Sequence, residues 1–261
     1  MGRYQLPCGK WGPAVRWFFQ NARNRLSFAV RNPGYALRAV LREVTLADER
    51  FLAAATGARA IEIRRYLEEP SSDPKFAQHL AEGQRTFDEL KLTSADLYAK
   101  KVLIQYVVTR ALRPRHVVET GVANGVSTAY LLLALERNGK GQLESIEIGD
   151  PAYLPAGRGP GWFVPEWLKG RWQMHLGDSR VLLPELLRRL GETDLFIHDS
   201  LHTYEHMGFE FRAAYPYLRS GGVLLADDAL WNPAFPEFAR ESGAKLARVI
   251  RGVGVLRKNG R

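Results

Sequence analysis

The chain has 261 residues, 46% of them hydrophobic, enough for one well-buried domain with an accessory segment. It contains no apolar run of the ~18 residues that a membrane-spanning helix needs, and its start lacks the apolar core and cleavage pattern of a secretory signal. Cys8 is the single cysteine, which excludes an internal disulfide or a cysteine-built zinc site and fits a reducing cytoplasm.

The net charge of +9 is concentrated at the beginning, where residues 1–42 carry eight Arg or Lys and no Asp or Glu. The same arm holds Trp11, Trp17, Phe18, Phe19, Phe28 and Tyr35. Pro13 to Arg31 reads as a helix broken at Asn32-Pro33-Gly34, and Pro33 to Val44 reads as a second helix capped by Asn32. A basic, aromatic helix pair has three uses: contact with a second copy in a homo-oligomer, adhesion to an anionic membrane surface, or a grip on nucleic acid. No nucleic-acid-binding motif accompanies the charge, which disfavours the last.

From Thr45 the pattern stays helical, with Thr45-x-x-Asp48 as a capping pair and Gly57 as a stop. Ala58 to Glu69 continues it, Pro70 to Pro74 reads as a loop, and Lys75 to Leu90 and Ser94 to Leu112 read as two further helices. The last ends at Arg113-Pro114. These helices, with the basic arm, form an expected extension over residues 1–112, ahead of a second domain over 113–261.

Beyond it, strands and helices alternate, which argues for an α/β fold with a doubly wound, mostly parallel sheet. His116-Val117-Val118 favours a buried strand, Gly121 and Gly125 allow a tight turn, and Ser127 to Leu135 carries apolar residues at helical spacing. The unpaired amides at that helix start suit an anionic group. A nicotinamide fingerprint wants G-x-G-x-x-G, whereas this turn reads Glu119-Thr-Gly121-Val-Ala123-Asn-Gly125. A second strand, Gln142 to Ile148, carries Glu147 at its end, the usual place of a ribose-binding carboxylate. Asp150 to Gly170, with Tyr153, Trp162, Phe163 and Trp167, reads as an irregular loop, either a substrate-facing lid or a packed surface loop. Trp172 to Leu176 is a third strand leading into Gly177-Asp178-Ser179, where a short polar residue caps a helix or reaches an adenine amino group.

Asp194 to Asp199 forms a fourth strand and Gly222 to Ala226 a fifth, which ends in Asp227-Asp228. Three carboxylates at one sheet edge repel unless a cation neutralises them. Asp199, Asp227 and Asp228 therefore point to an oxygen-ligand site for Mg²⁺, Mn²⁺ or Ca²⁺, with helix capping as the plainer alternative. Lys245 to Ile250 and Gly254 to Lys258 complete the sheet as a hairpin. His202-Thr-Tyr-Glu205-His206 also matches the H-x-x-E-H pattern of inverted zinc proteases, in the wrong setting: it directly follows a strand in an alternating α/β pattern.

The acidic strand end with its G-x-x-x-G turn, the IEI segment holding Glu147, the GDS at Asp178, DSLHTYE from Asp199 and LLADD at Asp227-Asp228 fall in one order. That order resembles the class I S-adenosylmethionine-dependent methyltransferases, and among them the metal-dependent O-methyltransferases of the catechol and macrocin types. The resemblance covers residue 115 to the end and implies a Rossmann-like, seven-stranded sheet. It also implies transfer of a methyl group from S-adenosyl-L-methionine to a hydroxyl of a small molecule or a sugar-containing natural product. On it, Glu119, Gly121 and Ser127 line the methionine end of the cofactor, with Ala123 and Gly125 in the same turn. Glu147 holds the ribose, and Asp178 with Ser179 borders the adenine. Asp199, Asp227 and Asp228 hold the metal, and His202 is the general base. Leu201 departs from the macrocin-type pattern, where many relatives carry a second aspartate. Two other functions compete: a nicotinamide-dependent oxidoreductase on a Rossmann sheet, and a non-enzymatic nucleoside-binding scaffold with a basic interaction arm.

Overall fold

The structure is a computed structural model that describes residues 46–92, 100–150 and 154–260. The basic arm, its two expected helices, Thr45 and the first part of the Ser94 to Leu112 helix lie outside the described residues.

Among the described residues four helices come first: α1 (Leu46–Thr56), α2 (Ala60–Ser72), α3 (Pro74–Glu89) and α4 (Lys100–Leu112). The expected loop from Pro70 to Pro74 is absent, because α2 runs through Pro70. Pro70 shares a buried face with Ile63 and Tyr66 and stands in the last turn, where few backbone bonds remain to be broken. Asp73 then caps α3 by accepting from the Phe76 amide at 2.9 Å, with Pro74 at the first helical position.

The remainder alternates: β1 (His116–Thr120), α5 (Val126–Asn138), β2 (Gln142–Glu147), β3 (Trp172–Leu176), α6 (Ser179–Leu190), β4 (Thr193–His198), α7 (Tyr204–Ala214), β5 (Leu218–Ala226), α8 (Ala234–Glu241), β6 (Leu246–Ile250) and β7 (Val253–Arg257). The strands form one seven-stranded sheet in the order β3-β2-β1-β4-β5-β7-β6. All pairs are parallel except those of the final β6–β7 hairpin, which pairs antiparallel both internally and against β5. This is the expected doubly wound sheet. β5 starts earlier than its glycines suggested, since a register shift against β4 admits Gly221, whose φ is +75°.

Alternate residues of each strand face opposite layers. Leu195, Ile197, Val223 and Leu225 join a core with α1 to α5, while Phe196, Leu224 and Ala226 join one with α6, α7 and α8. Leu52, Ile63 and Phe76 belong to the same buried cluster as Val117 and Val255, so the described helices before residue 112 share their core with the sheet.

Between β2 and β3, the loop over residues 154–165 runs into a 3₁₀ helix at Glu166–Arg171. It is packed. Phe163 is buried against Phe87 of α3 in an edge-on contact at 5.7 Å, and its carbonyl lies 2.9 Å from His79 Nε2. A Cβ on Gly83 would stand 2.3 Å from the Phe163 ring, so helix and loop meet at a point that only glycine fits. Gly83→Ala should destabilise the fold by about 1–3 kcal/mol, the usual range for an overpacked core position. Urea unfolding measures this, and a gain of about 1 kcal/mol, the helix-propensity advantage of Ala over Gly, would show that the loop does not dock on α3.

Candidate active site

Every predicted site residue lies at the carboxyl edge of the parallel strands, around the point where the strand order reverses between β1 and β4. The backbone ladder runs one bond past each strand end. Asp199 N donates to Thr120 O at 2.8 Å, Gly121 N to Ile146 O at 2.9 Å, and Asp227 N to His198 O at 2.8 Å. These bonds hold the turn after β1, the end of β2 and the two aspartates in register.

The turn is braced from three sides. Gly121, at φ +86°, lies so close to β4 that a Cβ there would fall 2.1 Å from the Asp199 carbonyl oxygen. Ala123 takes a left-handed φ of +45°, uncommon for a residue with a side chain, and Gly125 has φ +89°. The aromatic loop straps the outer side: Gly161 N donates to Ala123 O at 2.8 Å, Phe163 N to Asn124 O at 3.0 Å, and Trp162 Nε1 to Asn124 Oδ1 at 2.7 Å.

Two glutamates complete the bracing. Glu147 Oε2 accepts from the Val122 and Ala123 amides at 2.7 and 2.8 Å, and Oε1 accepts from the Gly149 amide at 2.9 Å. Glu119, placed by the sequence reading at the methionine end of a cofactor, is fully buried beneath the turn. It accepts from Ser145 at 2.7 Å, Thr128 at 3.0 Å and Ser127 at 3.4 Å. Burial pushes its carboxyl up to about 7, against the pull of those hydroxyls. Ser127 is thus committed to Glu119.

Asp178 caps α6 by accepting from Arg180 N at 2.8 Å and stays exposed, as the capping role required. Ser179 is buried and turned away, donating to Glu210 Oε1 at 2.6 Å. Beside Asp178, Ile148 and Leu176 at the ends of β2 and β3 are 66% and 64% exposed, an apolar surface the motif reading did not include. They are suited to a flat heterocycle.

Across the switch point lies the acidic cluster. One ligand atom from each of Asp199, His202 and Asp227 lies within 4.8 Å of the others. Asp228, which follows with a left-handed φ of +48°, does not join this set, whereas His202, expected as the base, does. Asp227 Oδ1 and His202 Nε2 are buried without a hydrogen-bond partner, and His202 Nε2 stands 3.8 Å from Asp199 Oδ1. Two carboxylates, with Asp227 Oδ1 unpartnered, suit a divalent cation, and the unpartnered His202 Nε2 stands beside them. Burial and the neighbouring Asp227 push the Asp199 carboxyl well up. Asp227 is pushed up by burial too, but the Lys101 ammonium, 2.6 Å from its Oδ2, holds it below the usual range. Burial, with His198 nearby, lowers His202 to about 3, so its imidazole is neutral at pH 7.

Behind the cluster lies Glu210, fully buried on α7. It accepts from Thr120 at 2.5 Å, Ser179 at 2.6 Å and Ser200 at 2.9 Å, with His198 Nδ1 at 2.6 Å and His206 Nε2 at 2.9 Å. Burial alone would raise its carboxyl, yet the two histidines hold it well below the usual range. The protease-like pattern fails here: His202 precedes α7, His206 is turned to Glu210, and Glu205 is exposed. Glu210 and Lys101 were missed in the sequence. The i, i+4 spacing of His206 and Glu210 was the available signal for the first.

Glu119 generates a test of the bracing. Between pH 4.5 and about 7 the folded protein keeps a proton on Glu119 that the unfolded chain has lost, so this group's contribution to stability falls as pH rises through that window and is flat above it. Glu119→Gln removes the effect. The variant should gain on the parent by on the order of 3 kcal/mol between about pH 5 and pH 8 in denaturant unfolding. An equal pH dependence in both proteins would show that Glu119 ionises freely.

Residues 118–229 match the family described as Methyltransferase domain. Demethylmacrocin O-methyltransferase of Streptomyces fradiae is 38% identical over 60 residues, 23% of this chain, and the match spans only 15% of that enzyme's length. Among solved structures, the methyltransferase PaMTH1 of Podospora anserina, determined with SAH, superposes with a TM-score of 0.53 at 18% identity, covering 77% of this chain and 95% of that one. The O-methyltransferase TomG of Streptomyces achromogenes, determined with SAM, also gives 0.53 at 18% identity, over 70% of this chain and 90% of that one. Those two likenesses concern the fold: the chain has the class I methyltransferase fold, and its residues 118–229 match the methyltransferase domain family.

Proposed function

We propose that this chain transfers the methyl group of S-adenosyl-L-methionine to the oxygen of a small-molecule hydroxyl, assisted by a divalent cation, Mg²⁺ or Mn²⁺ before Ca²⁺. One observation carries the proposal: the braced turn with Glu147 and the Asp199, His202, Asp227 cluster face each other across the switch point, joined by the Asp199 to Thr120 backbone bond. When bound, the cofactor supplies an electrophilic methyl group and the cation lowers the pKa of the acceptor hydroxyl.

The chain's own residues then have separate tasks. Glu147 already accepts three backbone amides, and a carboxylate has about four acceptor positions, which leaves room for one ribose hydroxyl. Ile148 and Leu176 offer apolar surface to the adenine, beside the exposed Asp178. Asp199 and Asp227 hold the cation. His202, neutral at pH 7, takes the proton from the acceptor hydroxyl, and a positioned base of this kind contributes roughly a hundredfold or more.

The acceptor belongs to the same proposal. A hydroxyl of a sugar-containing natural product is supported by the order of motifs and by the relative named for demethylmacrocin. Leu201, exposed beside the cluster, makes the acceptor contacts differ from those of the macrocin type. We also assign the enzyme to the cytoplasm and the basic arm of residues 1–42 to a homo-oligomer contact or a membrane surface. The single cysteine and the separate charge of that arm support this.

Calorimetric titration and mass spectrometry of bound ligand test the cofactor, and methyl transfer to a panel of hydroxylated acceptors tests the reaction. S-adenosylmethionine should bind, and bound NAD(P) would overturn the reading. Asp227→Asn should abolish turnover while the cofactor still binds. Chelator should stop turnover, and Mg²⁺ or Mn²⁺ should restore it. His202→Ala should lower the rate roughly a hundredfold or more with cofactor affinity near normal. If chelator has no effect and Asp227→Asn lowers only the melting temperature, the acidic cluster is structural.

A further inference from the structure

The acidic cluster already has a cation of the chain's own. Lys101 stands near the start of α4, 126 positions before Asp227 in sequence, yet its ammonium lies 2.6 Å from Asp227 Oδ2. The same charge acts on Asp199 and Asp228. Asp227 is 1% exposed, so Lys101 is the group that neutralises its buried charge in this arrangement, and without a cation that burial would be strongly unfavourable. The Lys101 side chain itself is 34% exposed and has a path to solvent. Its bond uses one Asp227 oxygen and leaves the other, with His202 Nε2, unpartnered in the cluster.

We propose that Lys101 is an internal competitor of the divalent cation. It neutralises Asp227 while no metal is present, and an arriving cation must overcome its positive charge and take over its partner. The proposal rests on the reading of the cluster as a metal site. It adds that metal affinity is set by a residue of the helical segment outside the catalytic motifs. Two positive charges drawn to one carboxylate oppose each other at short range, and the low dielectric of a buried site strengthens the opposition. The cluster therefore stays folded without metal, at the expense of binding metal weakly.

The test uses Mn²⁺ alone, without cofactor or acceptor, read by calorimetry and by the electron paramagnetic resonance signal of free Mn²⁺. Lys101→Met keeps the length of the stem and removes the charge, and it should bind Mn²⁺ at least tenfold more tightly than the parent. Lys101→Arg keeps the charge and should stay weak. Added Mn²⁺ should also raise the melting temperature of Lys101→Met more than that of the parent. Should Lys101→Met be unfolded in chelator, Mn²⁺ should restore its fold, and failure to do so overturns the proposal. Equal or weaker Mn²⁺ binding by Lys101→Met overturns the competitor role and leaves the metal reading standing. If neither parent nor variant binds Mn²⁺, the metal reading itself falls and the proposal with it.

Discussion

The close approach of two backbones, at Gly121 and Asp199, sets the geometry of everything else at the carboxyl edge. A residue with a Cβ at position 121 would collide with the Asp199 carbonyl, and the bond from Asp199 N to Thr120 O could not form alongside it. Because that contact exists, the glycine turn and the acidic cluster become two walls of one crevice. Each wall then has its own buried glutamate behind it. Glu119 gathers hydroxyls from α5 and β2 under the turn, and Glu210 gathers hydroxyls and imidazoles from β1, α6 and β4 under the cluster. A fully satisfied buried carboxylate ties together elements that hydrophobic packing alone would leave free to slide.

The two glutamates sit in different electrostatic settings. Glu119 has only neutral donors, so burial dominates and its carboxyl is raised; Glu210 has two histidines, so its charge is held. The support on the turn side thus titrates near neutral pH, whereas the one on the cluster side stays ionised.

The strand ends were legible because β-branched runs such as His116-Val117-Val118 and the apolar stretch before Asp227 leave little choice of structure, and the first polar residue after each marks the edge of the sheet. Glu147, Asp178, Asp199 and Asp227 all stand where this reasoning put them. Four things were not legible. Asp228 was counted with Asp227 by adjacency, but only Asp227 places a ligand atom among those of Asp199 and His202. Lys101 lies on a helix with no motif, and its partner is distant in the chain, so local pattern says nothing of their meeting. Glu119 has the residue type of a ligand contact, and only three-dimensional burial reveals that its oxygens are spent inside the protein. The four helices before residue 112 read as an extension because nothing in their composition announces that they share the sheet's core.

The contact of Gly83 with Phe163 has a consequence for how this protein can vary. Phe163 donates its amide to Asn124, and its neighbours Gly161 and Trp162 hold Ala123 and Asn124. A surface helix, an aromatic strap and the glycine cradle after β1 thus form one mechanical linkage, with α3 as its outer arm. Drift in the sequence of α3 is transmitted to the curvature of the cradle. Selection on the shape of that turn therefore constrains a helix that lies outside it.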